Sequence, residues 1–146
     1  MISNNLRKKE AAMILLAIDY GAARTGVAVS DPMGILASPV GALHEASRKK
    51  LARAIAEIAK ERRAEKIILG LPLRTDGTKG EKAQACEFFA QTLRETTGLP
   101  VELWDERFTT VAAHQALHAG GKRAKDHKPV VDAVAAVILL QSYLDR

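Results

Sequence analysis

An α/β domain with a five-stranded mixed sheet flanked by helices is the fold class this sequence predicts. Three observations point to it. Residues 13–40 hold three short apolar runs separated by turns too short for a helix. Residues 45–104 then alternate helical and strand periodicities, and a long apolar helix closes the chain from about Pro129. The first pattern requires antiparallel neighbours; the second requires parallel strands joined by right-handed helical crossovers.

Each element has its own signal. "MILLAID" (13–19) is a β-branched run ending on an acid, "YGAARTG" is a turn, and "VAVSD" (27–31) is a second strand. After the turn "PMG", "ILASPV" (35–40) reads as a third strand. Pro39 favours an edge position for it, because proline removes a ladder hydrogen bond. Between Glu45 and Arg63, Leu51, Ala54, Ile55, Ile58 and Ala59 fall on one helical face. "KIILGLP" is a fourth strand stopped by Pro72, and a polar loop containing Gly77 and Gly80 follows. Ala83, Cys86, Phe89, Ala90, Leu93 and Thr97 mark a second amphipathic helix, ended by Gly98 and Pro100. "VELW" (101–104) is the fifth strand. Thr109 or Thr110 is suited to cap a short helix through Leu117, "GGKRAKDHK" reads as a basic loop, and Pro129 suits the first turn of a helix running to about Leu144.

The bulk numbers set limits. A chain of 146 residues is expected to form one domain, here 13–146, preceded by a short N-terminal extension, 1–12. One cysteine, Cys86, allows neither an internal disulfide nor a thiolate zinc cluster. His114, His118 and His127 lack zinc-binding spacing with acid support. No apolar run reaches the ~18 residues of a membrane span, and no targeting segment is read, so a cytoplasmic location is expected. Lys and Arg number 22 against 17 Asp and Glu, a net charge of +5 that suits a polyanionic partner. The cations cluster at Arg7, Lys8 and Lys9, at Arg48, Lys49 and Lys50, and at Lys122, Arg123, Lys125 and Lys128. Six aromatic residues give no obvious ladder for stacking single-stranded bases. The glycine turns match neither a dinucleotide fingerprint nor a Walker loop.

The chemistry is carried by acids at strand ends. Asp19 closes a buried strand just before a glycine turn, where an unpaired carboxylate is costly. Its ordinary role there is to accept hydrogen bonds from the turn's amides. Asp105 and Glu106 follow the fifth strand, and Asp132 lies in the first turn of the last helix, where the helix dipole alone would favour an acid. Ligand sites of parallel sheets gather beyond the carboxyl ends of strands, and all four acids can meet there. Mutual repulsion would then be relieved by hard divalent cations bound through oxygen, such as magnesium. Two such ions about 3.5–4 Å apart would serve phosphodiester hydrolysis by activating water and stabilising the leaving oxygen. Strand parity sets Asp105 on the side of Val101 and Leu103, and Glu106 on the side of Glu102 and Trp104. Arg24, Arg74 and Arg107, with Lys125 and Lys128 of the basic loop, are the candidate phosphate contacts. Arg107 is equally suited to pairing with either acid beside it.

The segments "LLAIDYGAARTGVAVSDPMGILASPV", "IILGLPLRTDGTKGE", "VELWDERFTT" and "HKPVVDAVAAVILLQSYLD" together resemble the YqgF family, in order and over residues 14–145. Its members carry the descriptions of Holliday junction resolvase and nuclease of precursor 16S ribosomal RNA. The resemblance implies a ribonuclease H-like fold and a phosphodiesterase dependent on Mg2+ or Mn2+. It implies catalytic acids at Asp19, Glu106 and Asp132, with Asp105 as a further or alternative metal ligand. Many members of the wider superfamily carry an acid at the end of the fourth strand, where this chain has "GLP"; the pair after strand five must then replace it. The expected activity is trimming of the 5′ end of precursor 16S ribosomal RNA, free or in pre-ribosomal particles, by a monomer or weak homodimer. Resolution of branched DNA is the alternative enzyme reading. A noncatalytic ribosomal RNA-binding or assembly protein is the alternative outside enzymes.

Overall fold

A computed structural model describes residues 13–109 and the backbone from residue 128 to the C-terminus, with side chains from residue 133. The extension 1–12, the helix expected through Leu117, the basic loop with Lys125, and the side chains of Lys128 and Asp132 lie outside the described residues.

The elements run β1 (Leu15–Asp19), β2 (Thr25–Ser30), β3 (Ala37–Leu43), α1 (Arg48–Arg62), β4 (Lys66–Leu71), α2 (Glu81–Thr97), β5 (Val101–Asp105), a 3-10 turn (Glu106–Phe108) and α3 (Lys128–Leu144). The strands form one sheet in the order β3-β2-β1-β4-β5. β1–β2 and β2–β3 are antiparallel, while β1–β4 and β4–β5 are parallel. This is the ribonuclease H-like arrangement that the sequence leads one to expect. β3 is an edge strand, as Pro39 requires, and Gly98 ends α2 in the left-handed conformation at φ 72°.

Three expectations shift in detail. The second strand begins at Thr25, inside the expected turn, and ends at Ser30. The third strand begins at Ala37, because the Asp31 carboxylate accepts hydrogen bonds from the amides of Ile35 (2.7 Å) and Leu36 (3.0 Å) and folds both residues into the turn. On α1 the fully buried stripe includes Ala52, whereas Ala54 is only half-buried.

Apolar side chains fill both faces of the sheet. On one face Leu16, Ile18, Val27, Ile67 and Leu69 pack against Leu51 and Ile55 of α1 and Phe89 and Leu93 of α2. On the other, Leu15, Ala17, Ala28 and Ile68 pack against Ala135, Ala136, Leu139, Leu140 and Tyr143 of α3. The small side chains of Ala17 and Ala28 against Ala135 and Ala136 let α3 lie close to the strands. The buried strands carry apolar residues on both faces, the expected pattern for parallel strands covered on each side.

Candidate active site

β1, β4 and β5 are parallel, so their carboxyl ends share one edge of the sheet. Ile18 pairs with Leu69, Gly70 with Trp104 and Leu71 with Asp105. Asp19, Gly70 and the 3-10 turn after β5 are thereby neighbours. The β1–β2 turn with Arg24, the loop with Arg74, and Arg107 open on the same edge. Chain segments far apart in sequence converge because two crossover helices return β4 and β5 alongside β1.

Glu106 is the best-defined acid. It opens the 3-10 turn and is buried, with 8% of its surface exposed. Its carboxylate lies over Gly70: a Cβ at that position would fall 2.5 Å from Glu106 Oε1 and 3.3 Å from Leu139 Cδ2. A side chain at position 70 of β4 would therefore force the carboxylate of the turn after β5 to shift. Burial pushes the Glu106 carboxyl up to about 7; the negative charge of Asp19 and, less strongly, that of Asp105 add to the rise, while Lys82 opposes it. Among the described residues no hydrogen bond or ion pair reaches the carboxylate. Burial of the Cys86 thiol, then the charges of Glu106 and Asp19, push its pKa to about 12. Cys86 is thus a neutral neighbour of both acids.

Asp105 is engaged differently. Its Oδ1 accepts from the Arg107 amide at 2.9 Å, and its carboxylate takes the guanidinium through Nε at 3.0 Å and Nη2 at 2.7 Å. The hydrogen bonds from Arg107 hold the Asp105 carboxyl below the usual carboxylate range. The guanidinium is also packed over Gly77, where a Cβ would lie 3.2 Å from Nη1. Gly80 makes the same room for Arg74, with a Cβ position 3.2 Å from Nε. The glycines of "RTDGTKG" are floors on which two guanidinium groups lie.

Asp132 lies on α3, and its position can be given from the backbone. Residues 132, 136, 139 and 143 share one helical stripe, and Ala136, Leu139 and Tyr143 of that stripe are fully buried against the sheet. Since Leu139 adjoins Gly70, position 132 is two turns, or about 10 Å, further along the axis toward the carboxyl edge. Asp19 and Glu106 are thus brought together, Asp105 is turned to Arg107, and position 132 stands on the stripe that leads to them. Among the described residues there is no group of three or more His, Cys, Asp or Glu side chains suited to a metal. The two that converge are hard oxygen donors of like charge, which fits a divalent cation of the magnesium type.

Two contributors were missed from sequence. Lys82 tempers the charge on Glu106, and its signal was a cation in the first turn of a helix, where acids are normally favoured. Gly70 was read only as a strand residue lacking an acid.

The family model described as "RuvX: Holliday junction resolvase" matches residues 13–146. A protein of Lachnospira eligens named "Putative pre-16S rRNA nuclease" is 43% identical over 136 residues, 91% of this chain and 97% of its own. One of the same name from Clostridium novyi is 43% identical over 134 residues, 91% and 98% of the two chains. Among solved structures, "T. thermophilus RuvC in complex with Holliday junction substrate" aligns with a TM-score of 0.55 at 18% identity, over 90% of this chain and 93% of that one. The fowlpox virus Holliday junction resolvase aligns with a TM-score of 0.50 at 17% identity, over 91% and 99%. These two likenesses speak to the fold alone. The sequence matches, running through every motif at the carboxyl edge, show that the chain belongs to the RuvX family, also called YqgF.

Proposed function

We propose that this protein is a divalent-metal-dependent nuclease that trims the 5′ end of precursor 16S ribosomal RNA. The observation that carries the reading is the Glu106 carboxylate, seated over Gly70 in the field of Asp19 at the edge where three parallel strands end. The names of the family's members favour precursor ribosomal RNA as the substrate.

In this reading Asp19, Glu106 and Asp132 hold Mg2+ or Mn2+, with Asp105 as the alternative ligand. The contact of Asp105 with Arg107 favours Glu106 for that role and makes Asp105 the residue that orients the guanidinium. Bound there, the cations would polarise the phosphodiester and ease deprotonation of the attacking water. Arg107, fixed by Asp105 and seated over Gly77, presents its remaining N–H donors to a phosphate oxygen. Arg74 over Gly80 and Arg24 beyond β1 are further phosphate contacts in this reading, as are Lys125 and Lys128, which lie outside the described side chains. Lys82 limits the repulsion between the two acids. A cytoplasmic enzyme would meet this substrate; among the described residues no helix is long and apolar enough to cross a membrane.

The test is cleavage of a precursor 16S 5′ fragment and of a synthetic four-way DNA junction, side by side at one salt concentration. Salt is fixed because phosphate contacts make affinity steeply salt-dependent. RNA cleavage is expected with magnesium, to stop with chelator, and to fall about a thousandfold in Asp19→Asn. That is the loss expected when several kcal/mol of transition-state stabilisation go. Cleavage of the junction alone would move the assignment to branched DNA. RNA binding without any metal-dependent product would identify an assembly factor instead.

A further inference from the structure

The cationic cluster at Arg48, Lys49 and Lys50 has no part in the site above. It forms the first turn of α1, which contains no acid. Helix electrostatics favours carboxylates there, so three consecutive cations sit at the positive end of the dipole against both its field and one another. An anion is the complement of such an arrangement.

A second feature lies against it. Phe88 on α2 is 60% exposed, although its neighbour Phe89 is fully buried and stacks on Tyr20 at 4.3 Å between centroids. The Arg48 guanidinium stands over the Phe88 ring, 4.6 Å from its centroid. Between the two helices is a cleft of about 600 Å³ lined by Arg48, Lys49, Arg53, Phe88, Thr92 and Glu95. Three cations and one acid thus surround an exposed aromatic face.

The cleft also lies at the right end of the molecule. Leu43, the last residue of β3, pairs with Thr25, and Asp19 pairs with Gly26, so α1 leaves the sheet near the edge that holds the acids. α2 leaves β4 at that edge too, and Phe88 is seven residues beyond Glu81, about 10 Å down the helix.

We propose that this α1–α2 cleft binds single-stranded nucleic acid, an unpaired base stacking on Phe88 and Arg48 while Lys49 and Arg53 take the neighbouring phosphates. An aromatic ring beside guanidinium groups accepts any base through its π-face, and the cations follow the backbone. The occupant is a stretch of the substrate strand outside the scissile bond; its role in catalysis rests on the nuclease reading, its binding does not.

The experiment uses the full chain in EDTA, so that nothing is cleaved, and fluorescence anisotropy of a labelled ten-nucleotide unstructured RNA and of the matching duplex. Phe88→Ala is expected to weaken single-strand binding about 5- to 160-fold, the range for loss of one stacked base. Phe88→Trp should keep the affinity and be quenched on binding. Lys49→Ala with Arg53→Ala should lower the slope of log K against log salt by about 1.4, the change expected when two phosphates of a single strand are no longer neutralised. Wild-type affinity in Phe88→Ala, or equal losses on the single strand and the duplex, overturns the proposal. Displacement of the RNA by polyglutamate at equal charge concentration also overturns it, in favour of an acidic protein partner. Hydrolysis of bis(p-nitrophenyl) phosphate with manganese separates the two readings, since that substrate is too short to span both places. Its loss in Asp19→Asn but not in Phe88→Ala supports both assignments. If wild-type protein fails to hydrolyse it while Phe88→Ala still loses RNA, the cleft stands and the nuclease reading falls.

Discussion

The two ends of the parallel strands treat charge in opposite ways. At the amino end Lys66 Nζ meets Glu102 Oε1 at 2.8 Å and Tyr143 Oη at 3.0 Å, and the tyrosine hydroxyl donates to the same Glu102 oxygen at 3.0 Å. Arg146 lies over the Tyr143 ring, 3.8 Å from its centroid. Opposite charges and matched donors close that end. At the carboxyl end two acids of like charge are drawn together, one of them buried and pushed to about 7. A fold selected for stability alone would not place them so. A strongly perturbed acid at the carboxyl edge of a parallel sheet is what a functional site would need, and such sites commonly lower the stability of the protein carrying them.

The contrast can be broken most sharply at position 70. Gly70→Ala puts a methyl group 2.5 Å from the present position of Glu106 Oε1 and should reduce hydrolysis about a hundredfold, the scale expected from moving a catalytic group by an ångström. Kinetics at saturating metal, with a thermal melt alongside, would check it; unimpaired cleavage would mean the carboxylate acts from elsewhere.

A smaller effect concerns pH. The Glu106 carboxyl rises from 4.5 to about 7 on folding, so between those values the folded chain holds a proton that the unfolded chain has released. Its contribution is full below the unfolded value and is lost as pH rises through the folded one. At pH 8 the metal-free protein should therefore be weakened on the order of 3 kcal/mol by this group. Glu106→Gln should recover most of that while abolishing cleavage. Urea melts of metal-free protein at pH 5 and pH 8 decide it, and an unchanged pH dependence in the variant would refute the buried-acid account.

The least effect is expected at the closed end. Glu102→Gln removes an ion pair whose carboxylate is 41% exposed, and should lower stability by about 0.5–1 kcal/mol with no change in cleavage. A large loss of activity there would show that the two ends are coupled.

Much of the fold was legible because its signals are local. Turns too short for a helix forced the β1–β2–β3 meander, Pro39 assigned the edge, and Gly98 with Pro100 ended α2. The start of β3 was misplaced because Ile35 and Leu36 are apolar enough for a strand, while the Asp31 carboxylate that captures their amides acts through three-dimensional geometry. At the site, strand parity put Glu106 on the Trp104 side, and its carboxylate and Leu139 of α3 both border the position a Cβ on Gly70 would take. That Asp105 would bind Arg107 could be suggested by adjacency but not decided by it. The part of Gly70 could not be read at all, because "GLP" records only a missing side chain, whereas its value lies in the volume left for a residue 36 positions later. Phe88 and Phe89 are likewise indistinguishable by type; one is core and the other surface because α2 turns about 100° between them.

The space above Gly70 admits one carboxylate, and either β4 or the turn after β5 could supply it. On this backbone positions 70 and 106 are mutually exclusive hosts, so an acid introduced at 70 should be tolerated only when Glu106 is cut back to a small residue. Such reciprocal rescue would let the acidic group migrate between the end of β4 and the turn after β5 during divergence while the geometry presented to a ligand stayed in place.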